Sequence, residues 1–165
     1  MTISLQVPSR SPAQTRRLGA CLGKLLRPGD VLLLQGPFGS GKTTLVQGIA
    51  KGLGVRGRVT SPSFALVNEY RADEYHMRVP IYHIDVYRIA SPEEALQFGL
   101  DEYLSERAIS LVEWAERVED VVPEHHLWVM LRVTGAQRRL LSLQAYGERY
   151  ERLLEEFGAQ CGGLS

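Results

Sequence analysis

The stretch from Gly36 to Thr43, GPFGSGKT, constrains this chain more than any other part of it. It satisfies the spacing G-x-x-x-x-G-K-[ST], a loop that curls its backbone around a phosphate with the amide hydrogens pointing inward. Glycines are needed because side chains would obstruct that approach. In this pattern Lys42 supplies a point charge to the β and γ phosphates, and the Thr43 hydroxyl ligates magnesium. Phe38, Gly39, Ser40, Gly41 and Thr44 complete the set of phosphate-binding candidates. The flanking sequence suits the loop. Val31-Leu32-Leu33-Leu34 is a continuous apolar run, as expected of a strand buried on both faces. A helix predicted from Lys42 to about Leu53 then directs its positive end at the anion. The combination implies a nucleoside triphosphate bound with magnesium.

The other segments predict an α/β fold. At 165 residues the chain fits one domain,. Residues 2–7 alternate as a half-buried strand. Ser11 and Pro12 open a helix that runs to about Leu26, and Ser91 and Pro92 open another. Strands are predicted within 59–70, 79–87, 108–114, 127–133 and 140–146, with a polar connector over 71–78 and a last helix to about Phe157. This outlines one P-loop NTPase-like domain over 1–157, built on a mixed central sheet flanked by helices. Residues 158–165 are expected to form a disordered tail. No run approaches a membrane span, and the amino terminus lacks a signal-peptide pattern. Cys21 and Cys161 lie far apart without metal-type spacing, and are expected to be free thiols in a reducing cytoplasm. The 19 basic and 19 acidic residues cancel, which gives no support for direct gripping of a nucleic-acid backbone,.

A phosphate loop also needs an acid at a strand end to hold magnesium, directly or through water. IYHID ends at Asp85 and ISLVE ends at Glu113, and spacing does not say which one touches the metal. His83 lies on an alternating strand and reads first as a satisfied core or interface histidine. His125 and His126 are adjacent, so on a strand they point to opposite faces and do not chelate jointly. Tyr70, Tyr82 and Tyr87 could form a stacking platform, but strand alternation explains them without a ligand.

VTSPSFALVNEY, IYHIDVYRI, SPEEALQFGLDEYL and ISLVEWAERV, following the P-loop in that order and spacing, make the chain resemble the bacterial TsaE (YjeE) family from about Val7 to Arg139. Members are small ATPases required for N6-threonylcarbamoyladenosine modification of tRNA at position 37 (t6A37). The resemblance implies that Thr43 and Glu113 coordinate magnesium and that Asp85 orients water or supports hydrolysis. It places Thr60 of the T-S-P-S segment near the γ-phosphate and Trp114 at the nucleotide face. Ser11, Glu116 and Arg138 become adenine-side candidates. It also implies ATP and Mg2+ as cofactors, TsaD and TsaB as protein partners, and tRNA reached only indirectly, through the complex. The loop departs from the family at Pro37-Phe38, where Asp-Leu is common; those positions contribute mainly backbone.

Two other functions remain open at this point. A small-molecule phosphotransferase would need an arginine-rich lid, which no segment provides. A nucleotide-dependent binding module would sense ATP without hydrolysing it. The isolated protein is expected to bind tRNA weakly, unless Arg16, Arg17, Lys24 and Arg27 on the first helix, or Lys51, Arg56 and Arg58 after the P-loop, assemble a basic face.

Overall fold

The computed structural model describes residues 2–62, 66–72 and 79–164. In chain order the elements are β1 (Ile3–Ser9), α1 (Pro12–Gly23), β2 (Val31–Gln35), α2 (Lys42–Gly52), β3 (Val67–Arg71), β4 (Pro80–Asp85), α3 (Pro92–Phe98), α4 (Leu100–Tyr103), β5 (Ile109–Glu113), β6 (His126–Val133), β7 (Arg139–Tyr146) and α5 (Glu148–Cys161). The strands form one mixed sheet in the order β1-β7-β6-β2-β5-β4-β3. β2 lies between β5 and β6 and is parallel to both. β4 is parallel to β5, whereas β3, β7 and β1 join by antiparallel pairing.

The apolar run in β2 is explained by alternation between two cores. Leu32 and Leu34 pack with Leu18 and Leu22 of α1, Leu45 and Ile49 of α2, and Phe157 of α5. Val31 and Leu33 face the opposite side, with Ile84, Ala95, Leu100 and Val112, so both faces of the strand are covered. The helix starts follow local chemistry as predicted. Ser11 and Ser91 sit in extended backbone, each accepts an amide hydrogen from three residues ahead, and each is followed by proline,.

Helices α1 and α2 interlock through glycines. A Cβ built on Gly48 would lie 2.2 Å from the Arg16 carbonyl oxygen, and one on Gly52 would lie 2.1 Å from that of Ala20. Gly19 and Gly23 meet α2 backbone in the same way, at 2.5 Å from the Leu45 oxygen and 2.3 Å from the Ile49 oxygen. The obstructing atoms are backbone on both sides, so no side chain can swing away to make room. We expect Gly48→Ala to lower unfolding free energy by about 3 kcal/mol, at the upper end of overpacking costs. Gly57→Ala, where nothing lies within 4 Å, should leave it nearly unchanged. Urea denaturation of the two variants checks this; equal midpoints would show that the helices shift apart without penalty.

Several expectations need correction. α1 ends at Gly23 rather than near Leu26, because Leu25 and Leu26 tighten into bonds to the carbonyls of Leu22 and Gly23 ahead of Pro28,. The strand expected to follow the polar loop within 59–70 is β3, which extends to Arg71. Residues 63–65 of that loop and 73–78 of the polar connector lie outside the described residues. α5 runs past Phe157 to Cys161, which is fully buried, so the expected tail begins inside a packed helix. The two cysteines are not free thiols. Cys21 and Cys161 form a disulfide with Cα atoms 6.1 Å apart, across a sequence separation of 140. Packing of α5 against α1 brings them together, which no sequence spacing announces.

Candidate nucleotide site

The phosphate loop leaves the carboxyl end of β2 and opens α2. Gly39 and Gly41 have φ of +76° and +101°, a region that L side chains rarely adopt,. Gly41 is the residue ahead of α2, and no side chain caps that helix. Its first amides are therefore left for an anion. The Ser40 hydroxyl is buried with no hydrogen-bond partner among the described residues, a donor that a phosphate oxygen would satisfy. The Lys42 ammonium donates to the carbonyls of Gly36 and Pro37 and lies 4.0 Å from the Trp114 ring centroid. Burial pushes its pKa below the usual lysine value, against the opposing pull of Glu113, Glu116 and Asp85.

Strand order separates the two candidate acids. Asp85 and Glu113 are register partners at the ends of β4 and β5, but β5 adjoins β2 and β4 lies one strand further out. Glu113 is 1% exposed, and its Oε1 accepts a hydrogen bond from the Thr43 hydroxyl at 3.0 Å. Its Oε2 lies 3.0 Å from His83 Nε2. The Asp85 carboxylate instead accepts from the Tyr87 amide at 2.9 Å and from the Ser61 hydroxyl at 3.3 Å. Hydroxyl and carboxylate oxygens suit magnesium, which is usually held by one or two protein oxygens together with water and phosphate. Among the described residues no group of three or more His, Cys, Asp and Glu could hold a metal ion, so these oxygens do not form an all-protein cage. His126 Nδ1 donates to the Pro123 carbonyl at 2.7 Å.

An aromatic lip closes one side of the loop. Phe38, Tyr87 and Trp114 pack mutually with ring centroids 4.7 to 4.8 Å apart, and the Arg117 guanidinium carbon lies 4.9 Å from the Tyr87 ring centroid. Trp114 holds φ at +62°, a left-handed conformation costly for a residue with a bulky side chain,. The three tyrosines do not form one platform. Tyr70 approaches His83 on β4, Tyr82 packs edge-on against Tyr103, and Tyr87 alone joins the nucleotide side.

A cleft of about 520 Å³ spans this region. It brings together Phe38 to Thr44 of the loop with Asp85, Glu113 and Trp114, all expected from sequence. Thr60 does not line it; Ser61, next in the chain, does. The Ser11 hydroxyl caps α1 through the Gln14 amide, and Pro12 and Thr15 face the cleft instead. Glu116 and Arg138 are likewise outside the lining, which takes Gln137 and Arg139. Arg139 donates to the carbonyls of Gly39, Ser40 and Gly135 and so braces the loop. Arg88 also lines the cleft; its place directly after Tyr87 in H-x-D-x-Y-R was the available signal. A second groove gathers Arg16, Lys51, Arg56 and Arg58, part of the basic set noted in the sequence.

A phosphate loop between the central strand and a helix of a parallel-cored sheet, with a carboxylate from the adjoining strand on the loop threonine, defines a P-loop NTPase. The family described as "Threonylcarbamoyl adenosine biosynthesis protein TsaE" matches residues 9–141, and this chain belongs to that family. It is similar to a Bacillus subtilis protein named as a tRNA threonylcarbamoyladenosine biosynthesis protein TsaE, at 39% identity over 88% of this chain and 89% of the relative. A Treponema pallidum protein of the same name is 39% identical over 82% of this chain and 96% of its own length. The crystal structure of Bacillus subtilis YdiB superposes with a TM-score of 0.81 and 35% identity, over 96% of this chain and 97% of that one. Among the described residues no helix is long and apolar enough to cross a membrane.

Proposed function

We propose that this chain is the magnesium-dependent, ATP-binding and ATP-hydrolysing component of the machinery that forms N6-threonylcarbamoyladenosine on tRNA, working in the cytoplasm with TsaD and TsaB. The observation that carries the reading is the Thr43–Glu113 hydrogen bond at the mouth of the phosphate loop. It pairs a hydroxyl and a carboxylate, oxygens that suit magnesium, beside the loop whose open amides would take phosphate,, and the family membership supplies the process. When bound, magnesium would neutralise charge on those phosphates, held by Thr43 and Glu113. Loop amides and the Ser40 hydroxyl bind phosphate oxygens, and Lys42 moves from the Gly36 and Pro37 carbonyls onto them. Asp85, restrained by Ser61 and the Tyr87 amide, orients the attacking water. Pro12, Thr15, Gln137 and Arg139 bound the adenine side of the cleft.

A phosphotransferase is disfavoured because a kinase lid clamps the transferring group with several arginines. Among the described residues the only arginines lining the cleft are Arg88 and Arg139, and Arg139 is bonded to loop carbonyls. The chemistry on the base belongs to the partners, and tRNA reaches this chain through the complex. Phosphate release from ATP by the pure protein tests the reading, with small-molecule acceptors as a control. Release to water supports it; transfer to an acceptor without release would sink it. Glu113→Ala should weaken magnesium-dependent nucleotide binding by ~10²-fold or more, because removing a ligand costs at least as much as removing a group that orients one. If the magnesium requirement survives that change intact, Asp85 takes over as the metal ligand.

A further inference from the structure

His83 is fully buried in β4. An imidazole at that depth is costly unless its nitrogens are paired, and an aliphatic side chain would fill a strand position equally well. Both nitrogens have partners. Nε2 lies 3.0 Å from Glu113 Oε2, and Nδ1 lies 3.3 Å from the Tyr70 hydroxyl. A carboxylate oxygen only accepts, so Nε2 donates to Glu113, and Nδ1 pairs with the Tyr70 hydroxyl,. The Thr60 carbonyl accepts from the Tyr70 hydroxyl at 3.2 Å and from Asn68 Nδ2 at 3.0 Å. Asn68 Nδ2 also donates to the Tyr70 oxygen at 3.3 Å. The assembly depends on β3 pairing antiparallel with β4, which sets Asn68 opposite His83.

The result is a continuous chain of hydrogen bonds from Thr43 through Glu113, His83, Tyr70 and Asn68 to the Thr60 backbone. Ser61 ties the same segment to the site a second time, through Asp85. Both oxygens of Glu113 are restrained, one by Thr43 and the other by His83.

We propose that His83 is a positioning residue that holds the Glu113 carboxylate toward Thr43 and, through Tyr70 and Asn68, links its orientation to the placement of Thr60 and Ser61. The proposal rests on the reading of Glu113 as the magnesium-binding acid. Loading of the cleft then moves the carboxylate and the 60–61 backbone together, because neither shifts without breaking the chain between them.

The test measures magnesium-dependent binding of a nonhydrolysable ATP analogue, and amide exchange at Thr60 and Ser61 with and without that analogue. His83→Leu should raise the magnesium concentration for half-maximal binding by ~10–100-fold, the range for losing a group that orients a metal ligand. His83→Gln should recover most of that loss, because its amide N–H can donate to Glu113. Tyr70→Phe should keep the parental magnesium dependence and lose the nucleotide-dependent change in exchange. A folded His83→Leu protein with parental magnesium dependence overturns the positioning role. Parental exchange in Tyr70→Phe overturns the link to Thr60. If the leucine variant does not fold, the other two decide: a glutamine variant as impaired as Glu113→Ala overturns the proposal, and recovery supports it. Glu113→Ala is measured alongside. Parental magnesium dependence there removes the underlying reading, whatever His83 does.

Discussion

ATP hydrolysis by this chain should rise ~10³-fold or more when TsaD and TsaB are supplied together, within the 10³–10⁵ range for an arginine supplied in trans to a P-loop. The expectation comes from what the cations in and beside the cleft are doing. Lys42 is poised for the phosphates. Arg139 is bonded to the carbonyls of Gly39 and Ser40, and Arg117 lies against the rings of Tyr87 and Trp114. Arg88 lines the cleft and is the residue that could supply such charge in cis. The measurement is phosphate release at saturating ATP and magnesium, for the chain alone, with each partner, and with both. An isolated chain already at full speed and indifferent to its partners would rule the regulatory reading out. Arg88→Ala would then be the first variant to make, and collapse of that activity would locate the cation within this chain.

Lys42→Ala should lower turnover by ~10³-fold, the scale for removing one preorganised charge from a developing anion. The fold should survive. The ammonium is desolvated where it sits and contacts loop carbonyls and the Trp114 ring rather than a core partner. Lys42→Arg should not restore the rate, because a planar fork does not replace a compact charge in a closed loop. Phosphate release reads the first effect and a circular-dichroism melt the second. Because Lys42 lies against the Trp114 ring and moves onto phosphate in this reading, nucleotide should change Trp114 emission more in the parent protein than in Lys42→Ala. An alanine variant that melts normally and still hydrolyses ATP at the parental rate would remove Lys42 from the chemistry.

Much of the molecule could be read from local pattern alone. The phosphate loop, the apolar β2 and the Ser–Pro helix starts each depend on residues within a few positions of one another. Their physics is short-range: left-handed glycines, amides left open at a helix end, and serine hydroxyls that accept from amides three residues on,. The resemblance to the TsaE family rested on the same kind of signal, motifs in a fixed order. Less was legible in residues whose partners are distant. His83 looked like a core histidine, and it is indeed fully buried, yet its partners Glu113 and Tyr70 are on neighbouring strands. Nor did any periodicity single out the four glycines that let α1 and α2 touch, because their requirement is imposed by the other helix.

What the sequence determined by itself was the class of site: a P-loop after a central strand, two strand-end acids to serve it, and an α/β domain to carry both. What only the tertiary structure decided was which side chains converge there. Glu113 rather than Asp85 meets Thr43, because β5 adjoins β2 while β4 stands one strand beyond. Ser61 rather than Thr60, and Arg139 rather than Arg138, line the cleft. Cys21 and Cys161, expected to be free, are joined because α1 and α5 pack together. Periodicity and capping are set by neighbours along the chain and survive in any arrangement of the elements. Strand order and helix docking are set by the burial of the whole apolar core at once, and a displacement of one residue turns a side chain to the other face of the sheet.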